Sequence, residues 1–205
     1  DVIEDSKLGL HDSARQRIVM FGGRDTPQTV LSDTWEWDGA NWLLGTPASA
    51  PTGRIHFGMA FDSVRQCTVL FGGDSTSPGL GALGDTWEWN GTTWSNRNPG
   101  IGPGARHAHA MVFDETAQRT LLFGGSNPST SQRNDLWSWD GTTWLQISSP
   151  NSPGIRHHHA MAYDAANGVT VLQGGCHAGG QLRNDSWLWD GFDWAPIPGA
   201  QLTPA

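Results

Sequence analysis

The chain has 205 residues, a formal net charge of −8, 16% charged residues, 27 glycines and 12 tryptophans. No Lys/Arg stripe marks a nucleic-acid binder. No apolar run approaches the roughly 18 residues of a spanning helix, so a soluble protein with no membrane partner is expected.

In chain order, the first elements already define a unit. Asp12 stands ten residues before Gly22-Gly23, the pair Trp35/Trp37 follows, and Trp42 closes the set. The same order returns as Asp62, Gly72-Gly73, Trp87/Trp89 and Trp94. It returns again as Asp114, Gly124-Gly125, Trp137/Trp139 and Trp144, and as Asp164, Gly174-Gly175, Trp187/Trp189 and Trp194. These columns hold all 12 tryptophans, so the chain is a four-fold repeat.

Each unit is predicted to form four short strands. In the second unit, strand A covers His56 to Phe61 and strand B is the apolar run Thr68 to Phe71. Strand C, Thr86 to Trp89, alternates with period two, so Trp87 and Trp89 share a face. Asn90-Gly91, and Asp-Gly in the other units, suits a type I′ hairpin into strand D. The glycine pair ends strand B where the backbone must turn without a Cβ. The B–C loops at 24–32, 74–84, 126–134 and 176–184 are the expected variable surface, with the longest expected to be mobile.

Phe21-Gly22-Gly23, then Asp33-Thr34-Trp35-Glu36-Trp37-Asp38-Gly39, then Trp42, then Arg54 with His56 and Met59, resembles bacterial kelch repeats. The pattern is also similar to the central propeller of galactose oxidase. The resemblance implies an all-β β-propeller of four kelch-type blades, each a four-stranded antiparallel sheet with strand A innermost. The blades would lie at about 4–50, 51–102, 103–152 and 153–200. A galactose-oxidase copper centre needs two tyrosines, and this chain has one, Tyr163. The likeness to bacterial secreted or surface proteins implies an extracellular or cell-surface location.

Four units are at the low end for a propeller, and the first is degenerate. Glu4 replaces the arginine of Arg54, Arg106 and Arg156, and Gly9 replaces the methionine of Met59, Met111 and Met161. His11 stands where the others have Phe61, Phe113 and Tyr163. No strand is donated from one terminus to the other's blade, so closure would rest on packing. The ring closes alone, belongs to a longer propeller, or is completed by a second copy as a homo-oligomer.

Six of the eight histidines fall in strand A: His56, His107, His109, His157, His158 and His159. Alternation places His107 with His109 and His157 with His159, and turns His158 to the opposite face, toward a neighbouring blade. Such imidazoles suit zinc, copper or nickel, although no Cys is expected near them and no acid lies within these strands. Structural hydrogen bonding between blades is the competing reading, and no cofactor is the default.

Arg106 and Arg156 are candidates to bind a carboxylate, against a structural pairing with the repeated acids Asp33, Asp85, Asp135 and Asp185 in the next blade. The third tryptophan of each unit is expected to be the most exposed, which would suit a carbohydrate. Cys67 and Cys176 sit at different ends of the repeat and are expected to be free thiols. His177 beside Cys176 makes the fourth loop chemically distinct. No Gly-x-Ser-x-Gly elbow occurs. The triplets Asn90-Gly91-Thr92 and Asn184-Asp185-Ser186 belong to the repeat pattern rather than to glycosylation. A non-catalytic module that binds a protein, small molecule or carbohydrate is the leading functional expectation. The alternatives are a metal enzyme with a His-lined channel and a self-assembling propeller segment.

Overall fold

A computed structural model describes residues 8–25, 29–75, 81–127, 131–177 and 179–199. Glu4 and Lys7 of the degenerate first strand, and 76–80 of the long second loop, lie outside the described residues.

Each unit folds into a four-stranded antiparallel meander. The first blade is β1 (Leu8–Asp12), β2 (Arg17–Phe21), β3 (Thr34–Trp37) and β4 (Trp42–Gly45). The second is β5 (Gly58–Asp62), β6 (Cys67–Asp74), β7 (Ala82–Trp89) and β8 (Trp94–Asn96). The third holds β9 (Ala110–Asp114) and β10 (Arg119–Phe123), then a small hairpin, β11 (Ser126–Asn127) with β12 (Ser131–Gln132), then β13 (Leu136–Trp139) and β14 (Trp144–Ile147). The fourth repeats this with β15 (Ala160–Asp164), β16 (Val169–Gln173), the hairpin β17 (Cys176–His177) and β18 (Gln181–Leu182), β19 (Ser186–Trp189) and β20 (Trp194–Pro196). All-β sheets of this kind, stacked face to face, are consistent with a four-bladed β-propeller.

The inner strands β1, β5, β9 and β15 pack successively, each on the next. No comparable contact joins β15 to β1 among the described residues. The core consists of three blade junctions. Val19 and Phe21 of the first blade meet Phe57, Met59, Leu70, Trp89 and Trp94 of the second. Ala60, Val69 and Phe71 meet Met111, Leu122, Trp139 and Trp144. Leu121, Phe123 and Leu136 meet Leu172, Trp189 and Trp194.

This stacking reverses the expectation for the third tryptophan. Trp94, Trp144 and Trp194 are buried, and only Trp42, with no preceding blade over it, is 42% exposed. Trp94 and Trp144 donate their indole N–H to Thr34 and Thr86 of the preceding blade at 2.9 Å. Those hydroxyls satisfy a polar group that burial would otherwise leave costly.

Two local expectations are corrected. The Asp-Gly and Asn-Gly turns are not type I′, because only the glycine takes a positive φ: 97° at Gly39 and 96° at Gly91. The residue before it caps a four-residue loop instead, as Asp38 Oδ1 accepts the N–H groups of Ala40 and Asn41. Asn90 plays the same part for Thr92 and Thr93. Strand B of the second blade also runs through its glycines, with the register shifting between Phe71 and Gly73.

Candidate functional site

The repeated columns are absorbed by the architecture. Arg54, Arg106 and Arg156 are fully buried. Each forms a bidentate pair with Asp85, Asp135 or Asp185 and donates to the carbonyl of the first glycine of the pair, Gly72, Gly124 or Gly174. The partner acid lies in the same blade, not the next one. The arginine precedes strand A, the acid precedes strand C, and the glycine turn brings the two together. Each acid also accepts the indole N–H of Trp87, Trp137 or Trp187 at 2.7 Å. Arg106 and Arg156 therefore present no guanidinium to a ligand.

The inner strands begin at Gly58, Ala110 and Ala160, so the histidines lie in irregular segments that lead into them. His56, Ala108 and His158 take the left-handed conformation, with φ between 52° and 55°. That kink breaks the two-residue alternation and separates His107 from His109, and His157 from His159. These segments join across blades: Ala108 N–H donates to His56 O at 2.7 Å, and His158 N–H to Ala108 O at 2.8 Å.

His109 and His159 face the blade junctions. Each is almost fully buried, edge-on to Phe71 or Phe123 with ring centroids 5.7 Å and 5.6 Å apart. Burial, then the nearby Arg106, pushes His109 well below its ordinary value. Burial, then Arg156, lowers His159 to about 3. Both imidazoles are thus neutral when folded but titrate near 6.5 when unfolded. Below about pH 6.5 the unfolded chain binds more protons, so stability falls as pH drops, by up to about 1.4 kcal/mol per pH unit for each group. For His159 the loss continues to about pH 3. Phe57 occupies the same column in the second blade. His159→Phe is therefore expected to flatten the fall in urea-unfolding free energy between pH 7 and 4, and an unchanged slope would contradict this assignment.

The remaining inner-rim histidines converge. The His56 ring centroid lies 6.1 Å from His107 and 5.4 Å from His158. His157 and His158 lie 4.8 Å apart by centroid, with their Nδ1 atoms hydrogen-bonded at 2.6 Å. Burial, followed by the neighbouring imidazoles, lowers His56 and His157, and burial followed by His158 (against a raising effect of Asp74) lowers His107. These three groups are biased toward the neutral imidazole.

Sequence reasoning missed a cysteine. The backbones of Cys176 and His157 form a two-way bridge at 2.9 Å in each direction. This places Cys176 Sγ 3.4 Å from His157 Nδ1. The equivalent bridges, Ile55 with Asp74 and His107 with Ser126, show that the pairing belongs to the repeat. His177 follows Cys176 in β17 and contributes to the field at His157. An open cleft of about 660 Å³ adjoins the cluster, lined by His158, Ala160, Gln173, Cys176, Leu182 and Arg183 among others. Cys67 and Cys176 are both free; Cys67 is buried, and burial, then Glu88, pushes its thiol up to about 12.

No protein-family model matches the chain, and no curated protein matches it. The residues that distinguish one blade from another therefore carry the functional reading.

Proposed function

We propose that this chain is a non-catalytic binding module on a kelch-type propeller scaffold, related in its repeats to the central propeller of galactose oxidase. Its ligand is held at the inner rim by His56, His107, His157 and His158, beside Cys176 and His177. The convergence of these side chains from three blades carries the reading. The repeated acids are engaged elsewhere: Asp85, Asp135 and Asp185 hold arginines, and Asp12 and Asp62 cap turns. The His158 imidazole and the Cys176 thiol, beside Arg183, are the side-chain chemistry facing the cleft. An extracellular or cell-surface setting fits the style of the repeats.

Equilibrium binding to a panel of glycans, peptides and small carboxylates tests the placement. Ligands held by the wild-type chain are expected to be lost by His107→Ala/His158→Ala. A panel without binders, or binders indifferent to the double substitution, overturns it.

A second reading, pairing of two copies, is favoured by the free face of the first blade. Trp42, Leu43, Leu44 and Ile18 are 42%, 47%, 53% and 39% exposed there. The same tryptophan column is buried at all three internal junctions. In the fourth blade Ser186, buried and donating its hydroxyl to Gln173 Oε1, occupies the column of Thr34 and Thr86, which accept the indole N–H. A head-to-tail dimer would place Trp42 of one copy over Ser186 of the other. Sedimentation velocity is expected to give a dimer mass that Trp42→Arg reduces to a monomer; a wild-type monomer at high concentration contradicts pairing.

A further inference from the structure

The donors of the fourth blade differ in kind from those of its sister blades. The bridge that pairs Ile55 with Asp74, and His107 with Ser126, here pairs His157 with Cys176. The neighbouring column, Ala108 in the third blade, is His158. Only this blade combines two imidazoles and a thiol among the described residues, and their ligand atoms all lie within 4.8 Å of one another. We infer that His157, His158 and Cys176 form a site for a borderline-soft transition-metal cation, with Zn²⁺ as the reference ion. The inference deepens the binding reading above and rests on it.

The geometry is close to what such an ion needs. Tetrahedral zinc with ordinary bond lengths sets two nitrogens about 3.3 Å apart and a nitrogen and sulfur about 3.6 Å apart. Sγ of Cys176 lies over the His157 ring, 3.4 Å from Nδ1 and 3.6 Å from Nε2. A turn of that ring about its Cβ–Cγ bond aims a lone pair into the space beside Sγ. The two Nδ1 atoms, 2.6 Å apart, share a proton that would move to Nε2 of its own ring as the cation takes both Nδ1 lone pairs, and they must spread by about 0.7 Å to reach the tetrahedral separation. His158 is exposed and free to do so. The His157–Cys176 bridge fixes the two backbones before binding, so that only side-chain rotation remains to be ordered.

Two imidazoles and a thiolate select a borderline or soft ion over magnesium or calcium. Three protein ligands leave a fourth position, and the cleft lined by His158 and Cys176 gives water or an organic ligand a route to complete the shell. Binding is a simple exchange: the Cys176 thiol gives its proton to buffer as the sulfur–metal bond forms, with no change of oxidation state.

Cobalt(II) substitution reads the site directly. Tag-free protein titrated with Co²⁺ is expected to show one equivalent of tetrahedral visible absorption and a thiolate-to-cobalt band in the near ultraviolet. One equivalent of Zn²⁺ should bleach both. Cys176→Ser should abolish the near-ultraviolet band, Cys67→Ser should leave it intact, and His158→Ala should weaken binding at least about ten-fold. Far-ultraviolet circular dichroism and thermal midpoints establish that each variant is folded. Absence of the band in folded wild-type protein, or its survival in Cys176→Ser, overturns the metal site. Organic ligands that still depend on His107 and His158 would then leave the binding module standing without the metal.

Discussion

Arg106→Ala is expected to lower the unfolding free energy by about 3–5 kcal/mol, the cost of removing one partner from a buried ion pair. The guanidinium is fully buried and every edge of it is used. Nε donates to Gly104 O at 3.2 Å, Nη1 to Gly124 O at 2.9 Å and Asp135 Oδ1 at 2.7 Å, and Nη2 to Asp135 Oδ2 at 2.9 Å and to Pro103 O. Alanine would strand three carbonyls and a carboxylate at the entry to the third blade. Arg106→Lys should rescue little, because an ammonium cannot reproduce the planar fork. Burial alone would raise Asp135, but the hydrogen bonds and charge of Arg106 outweigh it and hold the carboxyl below its ordinary range. Its folded value is depressed, so its stabilisation is present above about pH 4 and is lost as pH falls through the folded value. Urea titrations at pH 7 and at pH 3.5 check both statements. A loss under about 1 kcal/mol at pH 7, or no narrowing of the gap between the wild type and Arg106→Ala at low pH, would contradict the structural role.

Trp139→Ala is expected to cost about 3–5 kcal/mol, as for other buried large aromatics. Trp139 is fully buried where the second blade meets the third, against Ala60, Val69 and Phe71. Its indole N–H donates to Glu88 Oε1 at 2.9 Å. Glu88 is itself buried and also receives Arg97 at 3.0 Å and Arg65. Trp139→Phe keeps most of the apolar contact but removes one donor from that carboxylate, so a cost of about 1–3 kcal/mol follows. The ordering alanine worse than phenylalanine, measured by chemical denaturation, is the check. Equal losses would mean that the hydrogen bond, rather than packing, dominates the junction.

The fold was legible because each blade repeats the same solution. A glycine pair, a Trp-x-Trp strand and a capped turn return in fixed order, and each column maps onto one place in a sheet. Less of the site was legible, for identifiable reasons. Period-two reasoning treated His107 to His109 and His157 to His159 as strand, but the positive φ of Ala108 and His158 turns the chain between them. No composition rule marks a left-handed alanine or histidine. The Arg–Asp pairs were expected between blades and form within them, because the glycine turn joins the two ends of one unit. The proximity of Cys176 to His157 follows from a bridge between segments 19 residues apart. Its signal lay in the repeat alignment, where Cys176 replaces Ser126 and Asp74 in one column.

That comparison of copies carries the central proposal: what recurs in the blades builds the scaffold, and the donors particular to the fourth, His157, His158 and Cys176, hold a transition-metal ion. Crystals grown with equimolar zinc and measured across the zinc absorption edge test it most directly. One anomalous peak bounded by His157 Nδ1, His158 Nδ1 and Cys176 Sγ is expected. No peak there, or peaks confined to surface carboxylates such as Asp38 and Asp140, would contradict it.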